Sequence, residues 1–130
     1  MARRMYYPDR GDFVHMNFSP SAGHEMADRH YALVLSAAGF AQATGFALVC
    51  PITSTLRAWP FYVRVPKGVL PAKQGVAVES NIAADQVKSV DCREREMEFV
   101  CKAPEEILDE VLARVRAIVD SDDVMGEMKG

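Results

Sequence analysis

The chain has 130 residues and a formal net charge of −3, with 15 Lys and Arg against 18 Asp and Glu. Apolar residues make up 49% and charged residues 25%, an ordinary globular composition that excludes a disordered chain. That length fits one domain, able to bury about two-thirds of its unfolded surface without a disulfide or metal. No apolar run approaches the ~20 residues of a membrane span, and the basic N-terminus lacks the apolar core of a signal peptide, so neither a membrane anchor nor a leader is expected. Cys50, Cys92 and Cys101 are odd in number and form no C-x-x-C pair, which reads as free thiols in a reducing, cytoplasmic setting. Much of the acid falls after Asp91, including Glu94, Glu96, Glu98, Glu105 and Glu106. The N-terminal two-thirds is close to neutral or slightly positive, so the acidic total leaves room there for a basic face that meets a polyanion.

In chain order, Asp12 to Phe18 alternates, with Val14, Met16 and Phe18 on one side and Phe13, His15 and Asn17 on the other, which predicts a strand. Turn residues follow, and 19–28 is expected as an exposed loop. Tyr31 to Ser36 and Gly45 to Thr53 are apolar runs of buried-strand type, with Pro51 marking a bulge or strand end in the second. Phe61 to Val65 alternates between two prolines, and Gly75 to Glu79, Ile82 to Val90 and Met97 to Cys101 read as further strands. One helix is predicted, opening with Pro104 in its first position and carrying a stripe of Leu108, Val111, Leu112, Val115, Ile118 and Val119. Glu105 and Glu106 in its first turn suit the helix dipole. The expected fold is therefore mainly β (α+β), a small barrel or sandwich closed by a C-terminal helix. It is a single domain over 1–120 with a flexible tail over 121–130.

Four segments together resemble the MazF/PemK (Kid) family of toxin endoribonucleases. They are Gly11-Asp12 with Asn17-Phe18-Ser19-Pro20; Gly23-His24-Glu25 with Arg29 to Ser36; Cys50-Pro51-Ile52-Thr53-Ser54 followed by Pro60-Phe61; and Ala84 to Ser89 with Arg93 and Arg95. The resemblance spans residues 8 to 119. It implies an SH3-like β-barrel of the CcdB/PemK toxin type and a homodimer. It also implies metal-independent cleavage of single-stranded RNA (mRNA) with no cofactor, and neutralisation by a cognate MazE/PemI-like antitoxin carrying a disordered acidic segment.

Cleavage without a metal uses the ribose 2′-OH as nucleophile, so the site must move a proton, hold the strand in line and stabilise a charged phosphorane. Arg29, His30, Thr53 and Glu25 are the catalytic candidates. In the family a catalytic Arg directly precedes a Pro-Ala-Leu/Val run, five residues after the loop Glu. Here His30 holds that place, Tyr31 replaces the Pro, and Arg29 stands one position early. A one-residue shift in a strand reverses the face. Either Arg29 reaches the site before the strand begins, or His30 takes the place as acid or base, or the toxin is inactive. Thr53 matches the family's catalytic-site Thr, its bland alternative being a hydroxyl bonded to backbone. Asn17, Ser19, His24, Arg57, Trp59, Asp85, Gln86 and Lys88 are the RNA-binding candidates. Trp59 is a stacking platform, Gln86 a base reader, Lys88 and Arg57 phosphate contacts, and Asp85 an orienting group for Arg29 or His30 or a structural hydrogen bond. His15, His24, Glu25 and His30 lack the spacing of a zinc pair, so no metal site is expected. A non-catalytic toxin acting on a protein target, or an inactive homologue, is the competing reading.

Overall fold

A computed structural model describes residues 5–18, 29–72, 75 and 77–129. The elements are β1 (Asp12–Asn17), β2 (Arg29–Val34), α1 (Ala38–Thr44), β3 (Phe46–Thr53), β4 (Tyr62–Val65), β5 (Ser80–Ala83), β6 (Lys88–Asp91), β7 (Glu98–Lys102), α2 (Glu105–Asp120) and α3 (Val124–Lys129). The strands run in the order β4-β5-β3-β2-β1-β7, with β6 also on β3, and every pairing among the described residues is antiparallel.

The alternation of β1 decides the architecture. Phe13 joins Leu33, Cys50, Ile52, Val63, Val65 and Ile82 in one core, with Ile107 and Val111 of α2 laid over it. Val14 and Met16 join Ala32, Val34, Val49 and Val90 in a second core on the other face. Residues of β4 and β7, the two ends of the strand order, pack on the first core. The sheet therefore rolls into a half-barrel, and α2 fills its concave side. The fold is the mainly β one expected.

Several boundaries differ from the sequence reading. The single strand expected over Ile82 to Val90 is two, because a turn closed by Gln86 N–H on Ala83 O (3.1 Å) separates them. β5 pairs with the end of β3 and β6 with its start. Pro51 falls where β3 changes partner, so its missing donor interrupts neither ladder. The stretch Gly75 to Glu79 forms no strand among its described residues; Gly75 turns at φ +80° and strand pairing begins at Ser80. Helix α1 was not foreseen. The Asp9 carboxylate accepts Ala38 N–H (2.8 Å) at its start, which holds the Asp9 carboxyl below its usual value, and Gly45 ends it in the left-handed region. Pro104 is the N-cap of α2 rather than its first residue, and Val119 at the end of the expected stripe is 75% exposed. Beyond Ser121, Asp123 accepts Gly126 N–H (3.0 Å) and opens α3.

Beneath β1, the buried Asp12 carboxylate accepts the Tyr6 hydroxyl (2.6 Å) and Asp9 N–H (2.9 Å), and Lys102 Nζ lies 2.6 Å from its other oxygen. Burial, and then the hydrogen bond to Asp12 and its charge, push the Tyr6 hydroxyl far above its usual value and keep it a donor. Cys50, Cys92 and Cys101 are all unbridged. Burial pushes the Cys50 thiol up to about 12, so it behaves as a small hydrophobe.

Candidate active site

Strands β7, β1 and β2 lie side by side, and their register sets the site. His15 stands opposite Tyr31 on β2 and Glu98 on β7, and Asn17 stands opposite Arg29. Arg29 continues the phase of Leu33, the first-core face. Its Nε–H donates to His15 Nδ1 (3.4 Å), one terminal nitrogen to Asn17 Oδ1 (3.1 Å), and the other to Glu96 O (3.2 Å) and Glu98 Oε1 (2.6 Å). The His15 ring also packs on Tyr31, with centroids 5.0 Å apart. Glu96, whose carbonyl Arg29 uses, has φ +51°, a left-handed conformation unusual for a side-chain-bearing residue, and its Oε1 accepts Asn17 Nδ2–H (2.9 Å).

His30 is one residue on and takes the opposite face. It is in phase with Ala32 and Val34 of the second core, and its ring packs against Phe18 with centroids 5.6 Å apart. Thr53 is in phase with Val49, which belongs to that same core, while Cys50 and Ile52 belong to the first. By strand alternation His30 and Thr53 therefore share a face, and Arg29 enters from the other. All three line one cleft of about 400 Å³ together with His15, Phe18 and Tyr31. Thr53 Oγ1 accepts Thr55 N–H (3.2 Å), the bland expectation, and this leaves its proton to donate.

The remaining candidates divide. Asn17 joins the cleft group through Arg29. Glu25, His24 and Ser19 lie outside the described residues. Trp59, Asp85 and Arg57 form a second cluster: Trp59 Nε1–H donates to Asp85 Oδ2 (3.1 Å), and the Arg57 guanidinium sits 5.5 Å over the Trp59 ring and 5.8 Å over that of Tyr62. The Asp85 carboxylate thus orients Trp59 rather than Arg29 or His30. Gln86 is exposed at the turn after β5, and Lys88 is exposed on β6 opposite Val49; neither lines the cleft.

Sequence reasoning passed over Asn81, which is 2% exposed. Its Oδ1 accepts Arg64 Nε–H (3.1 Å) and its Nδ2–H donates to Thr55 O (2.8 Å), which pins the segment between Thr53 and Trp59. No sequence signal marked it, since Asn81 falls between the expected strands Gly75 to Glu79 and Ile82 to Val90. Asn81→Ala is expected to cost about 1–2 kcal/mol, since two part-buried bonds are lost while the exposed Arg64 and Thr55 turn to water, and thermal unfolding checks it. It also passed over the role of Glu98, whose partner lies two strands away.

The curled antiparallel sheet carries a C-terminal helix in its concave side, with a cleft of basic and hydroxyl groups at the start of β2. The chain belongs to the PemK-like, MazF-like toxins of type II toxin–antitoxin systems, whose family model matches residues 9–119. The endoribonuclease toxin MazF of Escherichia coli K12 is 39% identical over 90 residues, covering 69% of this chain and 74% of that protein. A crystal structure of MazF from Deinococcus radiodurans superposes with a TM-score of 0.73 at 37% identity, covering 88% of this chain and 98% of that one. A MazE–MazF crystal structure from the same organism gives 0.72 at 33% identity, covering 89% and 98%. Among the described residues no helix is long and apolar enough to cross a membrane.

Proposed function

We propose that this protein is the toxin of a type II pair and a metal-independent endoribonuclease. It cuts single-stranded RNA, mRNA in the cell, at short sequences and thereby arrests growth. The observation that carries the reading is the convergence of Arg29, His30 and Thr53 on one cleft in a chain of this family. The 2′-OH attacks the adjacent phosphorus, its proton passes to the exposed His30 imidazole, and the P–O5′ bond breaks. The departing O5′ takes up a proton, leaving a 2′,3′-cyclic phosphate and a 5′-OH. The Thr53 hydroxyl, on the same face, donates to a non-bridging oxygen as charge builds on the phosphorane. Arg29, its guanidinium fixed by neighbours before substrate arrives, binds a strand phosphate and holds the attacking oxygen in line. Trp59 and Arg57 present a stacking surface to bases beyond the cleft.

The working form is a cytoplasmic homodimer. Phe46 and Leu48, two residues apart on β3, are 38% and 36% exposed and give a second copy an apolar surface. The inhibitor is a MazE/PemI-like antitoxin whose disordered acidic segment enters the cleft holding Arg29 and His30. The test is digestion of a long mixed-sequence RNA by purified protein in EDTA, with fragment ends mapped. Discrete cuts bearing cyclic phosphates are expected. Intact RNA from folded protein overturns the enzyme reading and favours a toxin that acts by binding a protein.

A further inference from the structure

We propose that Glu98 is a built-in stand-in for an RNA phosphodiester at Arg29, an intramolecular competitor that substrate displaces. The inference rests on the endoribonuclease reading and adds a residue that tunes substrate affinity. Three of the partners that fix the Arg29 guanidinium are formally neutral acceptors: His15 Nδ1, Asn17 Oδ1 and the Glu96 carbonyl. They orient the group without cancelling its charge. Among the described residues, the anion that meets that charge is Glu98, at 2.6 Å.

The two ends of this ion pair differ in their surroundings. The Arg29 side chain is 15% exposed, whereas that of Glu98 is 71% exposed. Arg29 is held in place on the cleft wall, and the Glu98 carboxylate reaches it from the first residue of β7, across β1. A carboxylate so open to water is held weakly, since exposed ion pairs contribute about 0–1 kcal/mol. A phosphodiester oxygen carries the same formal charge and accepts the same N–H bonds. Exchange of one for the other leaves Arg29 satisfied at every stage. Until exchange occurs, Glu98 also places a negative charge at the edge of the cleft that the polyanion must enter.

The test compares wild type, Glu98→Gln, Arg29→Ala and the double variant, with Glu106→Gln on the exposed face of α2 as a charge control. Two readouts are used: binding of an uncleavable all-2′-deoxy oligonucleotide, and the steady-state kinetics of RNA cleavage. Glu98→Gln is expected to bind about two- to fivefold tighter at low salt and to lower KM by a similar factor with kcat unchanged. The gain shrinks as salt rises. It disappears in the Arg29→Ala background, and Glu106→Gln shows none. Affinity unchanged or weakened in Glu98→Gln, or an equal gain without Arg29, overturns the proposal. If wild type cuts RNA and Glu98→Gln behaves like it, only this inference fails. If wild type neither cuts RNA nor binds the oligonucleotide, the endoribonuclease reading fails with it.

Discussion

His30→Ala is expected to slow RNA cleavage by about 10²–10⁴-fold, the usual worth of a positioned proton carrier. Thr53→Ala is expected to cost about 10²–10³-fold, as for one donor to a developing oxyanion. Neither should disturb folding, because the His30 ring is exposed on the sheet surface and Thr53 ends β3 with its hydroxyl accepting Thr55 N–H. The two faces of β2 give the argument its sign. Arg29, in phase with Leu33, is braced by β1 and β7, whereas His30 is in phase with Ala32 and shares its face with Thr53. Arg29→Ala is therefore expected to raise KM more than it lowers kcat, and His30→Ala to do the reverse. Single-turnover kinetics beside thermal melts of each variant separate these effects. Full activity in His30→Ala together with complete loss in Arg29→Ala would return the proton-moving step to Arg29.

Phe13→Ala is expected to destabilise the protein by about 3–5 kcal/mol. Phe13 is fully buried in the first core, opposite Leu33 on β2 and Cys101 on β7. It occupies the strand that joins these two, so its ring is the part of β1 that ties the sheet to the concave side beneath α2. Truncation leaves a cavity that the paired backbones on either side cannot collapse into. Chemical denaturation should show a lower midpoint with an unchanged slope. At temperatures where the variant is folded its RNA cleavage should stay near wild type, since Phe13 does not line the cleft. A loss below about 1 kcal/mol would mean that the half-barrel is not closed around this side chain.

The period-two pattern of residues 12 to 18 predicted the strand and its apolar Val14, Met16 and Phe18 side, but not the other core, on the Phe13 side, which Leu33, Cys50 and Ile107 complete. The helix after Pro104 was equally legible from its spacing. Strand partners were not. Nothing in the run from Ile82 to Val90 marks that its first half belongs with Ile52 and its second with Val49, since exchange of partners along β3 is a tertiary event. The site shows the same division. Motif order singled out Arg29, His30 and Thr53, but only strand phase sorts them to faces. Glu98 reads as one acid among many until β7 is laid beside β1, and Asn81 reads as a polar residue between two expected strands until Thr55 and Arg64 are found on it.

If the chain cuts RNA through the ribose hydroxyl next to the scissile phosphate, removing that one hydroxyl must stop cleavage. An oligoribonucleotide containing a mapped cleavage site should be incubated with the protein in EDTA, beside a copy carrying a single 2′-deoxyribose at that position. Rapid cutting of the first to a 2′,3′-cyclic phosphate and a 5′-OH is expected, with an intact second strand that still binds. Equal cutting of both strands would contradict it, because the nucleophile would then be something other than the 2′-OH.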